Sequence, residues 1–178
     1  MPSLLPRRLV VLLVGLLLAA QALTAAPQSN PDSLAFRPHD PLNLTAFNHF
    51  YNLDYDRAVQ EFEQVLARHP DDPFAVNHLL TATLFRELYR MGVLNTGEYA
   101  NDTFISAAHR PADPKIKQQI NDLVNRATAL EEKSLAATPN DVEALYARGV
   151  PRAQIATYTA LIERAWFSAL RNAVGARR

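Results

Sequence analysis

Between Tyr55 and Arg68 the apolar residues Tyr55, Ala58, Val59, Phe62, Val65 and Leu66 recur at helical spacing. They form one stripe of a helix with about 3.6 residues per turn. Gln60, Glu61, Glu63, Gln64 and Arg68 fall on the opposite side. Asp54 stands at the N-cap position and Pro70 lies just past the last turn, so both ends are marked locally. A helix of this kind is marginal alone and draws its stability from burying the stripe against a neighbour. The chain must therefore supply further helices that pack side by side.

It does so repeatedly. Thr45–Asn52 carries Ala46, Phe47, Phe50 and Tyr51, and the short Leu53-Asp54 connection predicts an antiparallel hairpin with the helix that follows. A third helix is expected from Pro73 to Met91, with Asp72 as cap and proline in the first turn. Its apolar residues cover more than one side, the pattern of a helix sandwiched between neighbours. Lys115–Ala137 has the stripe Ile116, Ile120, Leu123, Val124, Ala127 and Leu130, ended by Pro139. A shorter helix should start near Asp141, and Pro151 should kink or break it. Leu161, Ile162, Ala165, Trp166, Ala169, Leu170, Ala173 and Val174 continue a strong amphipathic pattern. No segment has a competing strand period, so the expected fold class is all-α. Twelve prolines against five glycines fit helices with sharp stops and disfavour Gly-rich phosphate loops.

Residues 1–25 read as a secretory signal. Arg7 and Arg8 precede the uncharged run Leu9–Ala20, and Ala20-Gln21-Ala22 and Leu23-Thr24-Ala25 offer cleavage sites, with Ala25 preferred to Ala26 before Pro27. The run is short for a membrane span, which takes about 20 apolar residues; the alternative is an uncleaved anchor, the one membrane contact expected. Removing residues 1–25 takes away two arginines and no acid, leaving 16 basic against 18 acidic residues, a net charge of −2. Such a balance argues against a nucleic-acid partner. The absence of cysteine excludes disulfides, thiolate catalysis and cysteine-ligated metals. The expected location is the periplasm or the exterior. Residues 26–41 read as a flexible lead-in, 42–178 as the helical domain, and 92–114 as a long loop insertion with no periodicity.

Pro70-Asp71-Asp72-Pro73-Phe74-Ala75-Val76 aligns with Pro139-Asn140-Asp141-Val142-Glu143-Ala144-Leu145, 69 residues later. That is close to twice the roughly 34-residue period of a two-helix unit. The segment from Leu53 to Asp72 resembles the second helix of a tetratricopeptide (TPR) repeat, with Ala58, Phe62, Val65 and Pro70 at the positions that pack and close the hairpin. The resemblance implies an α-solenoid of about three units: Leu42–Asp72, Pro73–Asp141 and Val142 onward. The chain departs from the family at Glu131 and Ser134, where an aromatic and a small or aliphatic residue are preferred. It departs again at Arg148, an expected core leucine, at Pro151, and in lacking a closing proline after its last helix.

The same resemblance implies a concave groove lined by the first helix of each unit. Its candidate residues are Asn43, Phe47, Phe50 and Tyr51, then Asn77, Thr81, Leu84 and Phe85, then Tyr146. Rigid rings beside amides suit capture of a peptide or protein segment. No cofactor or metal site is expected, because the five histidines form no short ligand pair. His49 and His78 would meet only if adjacent first helices pack in register. The carboxylates Asp54, Asp56, Glu61 and Glu63 read as a solvated face, and Ser134 and Ser168 lack a nucleophile motif. Asn43-Leu44-Thr45 and Asn101-Asp102-Thr103 match the glycosylation acceptor pattern. The expected function is a non-enzymatic protein-interaction module. The alternative is a structural or envelope-assembly subunit that docks, or self-associates, through its C-terminal helix.

Overall fold

The computed structural model describes residues 37–95, 97 and 112–163. Five α-helices lie among them, and no strand: α1 (Pro41–Tyr51), α2 (Tyr55–Arg68), α3 (Pro73–Arg90), α4 (Pro114–Ala137) and α5 (Val142–Leu161). The signal-like segment, the interior of the 92–114 insertion and the C-terminal stretch around Trp166 lie outside the described residues.

Four of the five helices start the same way. Asp40, Asp72, Asp113 and Asp141 each accept the backbone N–H two residues on, from Leu42, Phe74, Lys115 and Glu143. In the first three, proline follows the aspartate and occupies the first turn, where its missing N–H costs nothing. The exception is α2. Asp54 occupies its N-cap position, but the carboxylate makes no capping bond; it lies 3.4 Å from His49 Nδ1 and 3.4 Å from Arg57 Nε. Helix α1 begins at Pro41, earlier than its apolar pattern suggests, because the Asp40 cap starts it.

The contacts give the chain direction of each helix. Asp40 meets Arg68 while His49 meets Asp54, so α1 and α2 are antiparallel. Phe62 stacks near His78 while Tyr55 lies on Tyr89, so α2 and α3 are antiparallel. Asn77 reaches Glu131 near the end of α4, and Lys117 near its start reaches Glu163 just after α5. Along α1 and α3 the paired rings advance together, Phe47 on His78 and Phe50 on Phe85, and α3 and α5 advance likewise through Asn77 with Ala147 and Thr81 with Gln154. Thus α1, α3 and α5 run parallel, with α2 and α4 reversed between them in sequence. The core is built from Ala58, Val59, Phe62 and Val65 of α2, Val76, Leu80, Leu84 and Leu88 of α3, Ile120 and Ala127 of α4, and Tyr158 of α5. All of the α2 stripe is buried, so the amphipathic reading of that helix holds residue for residue.

Of the kink or break expected at Pro151, the break does not occur: α5 continues through it from Val142 to Leu161. Proline removes the N–H that would reach the carbonyl four residues back, which belongs to Ala147. Asn77 of α3 donates to that carbonyl instead, at 3.0 Å, so the helix continues with its orphaned acceptor satisfied from a neighbour.

Helices α1 and α3 end in the same turn. Leu53 N–H bonds Phe50 C=O and Asp54 N–H bonds His49 C=O; Gly92 N–H bonds Tyr89 C=O and Val93 N–H bonds Leu88 C=O. Both are Schellman endings, which place one residue in the left-handed region. Gly92 takes that position at φ 72°, and at α1 it is Leu53 at φ 64°.

Candidate interaction surface

The nine candidate groove residues divide into three groups. Asn43, Asn77 and Leu84 are enclosed and present no surface to a ligand. Helix α3 is flanked on both sides, so its middle positions become interior. Asn43 donates to Pro38 C=O, which also removes it as an acceptor for glycosylation in the folded state. Asn101, the other acceptor, lies outside the described residues.

Phe47, Phe50, Thr81 and Phe85 are half-buried. Phe47 packs edge-on against Phe62 at 5.0 Å and His78 at 4.8 Å. Phe50 makes edge contacts with Tyr51, Tyr55 and Phe85 at 5.4 Å each. Thr81 Oγ1 accepts from Gln154. These side chains join the hairpins and offer only an edge to solvent.

Tyr51 and Tyr146 are the exposed members, at 75% and 58%. Tyr51 ends α1, whereas Tyr146 lies in the first turns of α5 and stacks on Phe74 at 6.3 Å. Because α1 and α5 run parallel, the two rings mark opposite ends of the layer. Residues absent from the expected set join them. Leu53 and Tyr89 are exposed near Tyr51, and Val142 and Leu145 near Tyr146. Tyr89 was legible only as part of an apolar helix; its exposure follows from its place in the last turn of α3.

The end bearing Tyr146 is tied to the start of the described chain. Arg37 ion-pairs with Glu143 of α5, lies 3.7 Å from the Asp72 carboxylate, and stacks over the Phe74 ring at 5.2 Å. Its carbonyl accepts from His78 Nε2 at 2.6 Å. Burial pushes the His78 imidazole below the usual histidine range, against the opposing pull of the Arg37 carbonyl and Asp72. Asp40 is held by Arg68 at 2.9 Å and His69 at 3.1 Å. The last residues of the expected lead-in, 37–41, are therefore anchored.

His49 and His78 are not joined. His49 faces Asp54 and Glu61, and His78 faces the Arg37 carbonyl. Among the described residues no group of three or more His, Asp or Glu side chains is placed to hold a metal ion.

Glu131 and the proline-containing stretch of α5 are linked inside the molecule through Asn77. Glu131 of α4 is fully buried, and its Oε1 lies 3.4 Å from Asn77 Nδ2. Asn77 thus spends both amide hydrogens, one on Glu131 and one on Ala147 C=O. Burial pushes the Glu131 carboxyl up to about 7, opposed by Asn77 and by the positive charges of Arg152 and Arg148.

Comparison with known protein families, curated proteins and solved structures finds no match.

Proposed function

We propose that the chain is an exported, non-enzymatic interaction module of TPR type that binds a peptide or protein segment across the layer formed by α1, α3 and α5. The observation that carries this reading is the parallel alignment of these three helices. Alternating helices of opposite direction would leave one face made only of first helices, and the exposure of the uncharged side chains Leu44 and Tyr51 on α1 and Tyr146 on α5 supports an accessible surface on these helices. The burial of Ala58, Phe62 and Val65 at the hairpin positions, with Pro70 just past the helix, supports the TPR register. The signal-like segment supports export to the periplasm or beyond.

Panning a displayed random-peptide library on the immobilised chain tests the reading. Tyr51→Ala with Tyr146→Ala is chosen because both rings are exposed, so the pair should leave the helical circular-dichroism spectrum unchanged. Enriched peptides that bind the wild type and lose at least tenfold in affinity for the double variant are the expected result. No enrichment, or enrichment indifferent to both substitutions, overturns it. The exposed apolar pair Val142 and Leu145 on α5 favours a second reading, an assembly subunit. It expects self-association in sedimentation, weakened by Leu145→Lys.

A further inference from the structure

Two side-chain oxygens in the α3/α4/α5 junction are buried without a hydrogen-bond partner: Asn77 Oδ1 and Glu131 Oε2. They belong to the two groups already joined through their other ends, Asn77 Nδ2 and Glu131 Oε1. Both are acceptors, so as long as Glu131 is ionised neither can serve the other. One proton changes this. A carboxylic acid facing a primary amide makes two reciprocal bonds, N–H to one oxygen and O–H to the other.

We propose that Glu131 is a proton-operated latch: a proton taken from solvent onto Oε2 bonds to Asn77 Oδ1, closes a two-bond acid–amide pair, and clamps α5 onto α3 and α4.

The latch reaches α5 through Asn77, whose second amide hydrogen serves the Ala147 carbonyl that Pro151 leaves without a helical donor. Orienting the amide through the acid therefore orients the donor that α5 needs at its proline. Loss of the proton leaves a carboxylate in the junction, and the amide has a reason to turn away from Ala147. The charged groups that act on Glu131 come from two elements. Arg148 and Arg152 of α5 favour the ionised form, and Glu132 of α4 disfavours it; α3 presents the neutral Asn77. Desolvation outweighs the two arginines, since the carboxyl is held up at about 7. The sign follows. The folded site binds its proton more tightly than an open site at the ordinary 4.5, so clamping is complete below 4.5 and is lost as pH rises through about 7. With those two values, the protection of α5 falls roughly 30-fold between about pH 5.5 and pH 8.

Hydrogen–deuterium exchange on the full chain tests this, with α5 amides read against α2 amides and each corrected for intrinsic exchange. The wild type should lose α5 protection, relative to α2, by about thirtyfold across that interval. Glu131→Gln puts a permanent donor where the proton sits, and its α5 protection should stay high and flat. A flat wild-type ratio, or the same slope in Glu131→Gln, overturns the proposal. If the variant fails to fold, the carboxyl-carbon NMR resonance of wild-type Glu131 decides. A midpoint near 7 supports the latch, and one near the ordinary 4.5 overturns it.

Discussion

The Asn77–Ala147 bond makes a sharp energetic statement because it stands in for a backbone bond that Pro151 deletes. Asn77→Ala in the wild-type background leaves the Ala147 carbonyl buried with no donor, at a cost of about 1–3 kcal/mol. It also strips Glu131 of the amide that faces it. Pro151→Ala returns an N–H to residue 151, in position to bond Ala147 from within α5. Alone, that substitution regains part of the roughly 3 kcal/mol by which proline disfavours a helix interior. Greater unfolded-chain freedom takes back about 0.4–1 kcal/mol, and loss of the buried ring takes back more. A net gain near 1 kcal/mol is expected. The decisive quantity is the coupling. In the Pro151→Ala background the carbonyl no longer depends on Asn77, so Asn77→Ala should cost less by about 1–2 kcal/mol. Urea unfolding of all four proteins at one mildly acidic pH, followed by far-UV circular dichroism, measures it. Effects that add to within about 0.5 kcal/mol would show that Asn77 is not the donor that sustains α5 through its proline.

Two further expectations follow from the helix ends. At the two Schellman turns, Gly92→Ala should destabilise by about 1 kcal/mol because φ is 72°, whereas Leu53→Gly should be neutral or stabilising by about 0.5 kcal/mol because a leucine now holds φ 64°. Thermal unfolding compares them, and a clear loss in Leu53→Gly would mean that its half-exposed side chain contributes packing. At the start of α1, burial alone would raise the Asp40 carboxyl, yet the Leu42 N–H, His69 and Arg68 hold it below its ordinary value. Its contribution is therefore fully present above that ordinary value and lost as pH falls through the lower value of the folded state. Asp40→Asn keeps a capping oxygen but loses the charge. It should cost about 1 kcal/mol at neutral pH, discounted for the exposed Arg68, and should flatten the acid limb of stability. An unchanged acid limb refutes the assignment.

What could be read from the chain was whatever its local chemistry decides. The bounds of α2 are those its stripe, its N-cap position and Pro70 mark, and the Asp72-Pro73 pair begins α3 where a missing donor is harmless, whereas the matching Asp113-Pro114 start of α4 falls where the sequence reads as the end of the loop insertion. The antiparallel hairpin of α1 and α2 was legible because only a short turn separates two stripes. The exposure of the candidate groove was not legible, because it depends on which helices flank α3. Asn77 and Leu84 became interior because α3 is packed by α2, α4 and α5, Asn77 meeting Glu131 and Ala147, and no local pattern distinguishes that from an open face. At Pro151 the helix continued for a reason no local rule contains, the amide of Asn77, which reaches Ala147 from 70 residues away. Glu131 is the same kind of case in reverse. The stripe of α4, extended one more turn, does place residue 131 in the core, and the structure buries it there although its type is wrong for that place. The two anomalies are adjacent because each answers the other. A carbonyl without a donor and a carboxyl without water are both costly alone, and a single asparagine between them, with two hydrogens to give, satisfies the first outright and leaves the second one proton short.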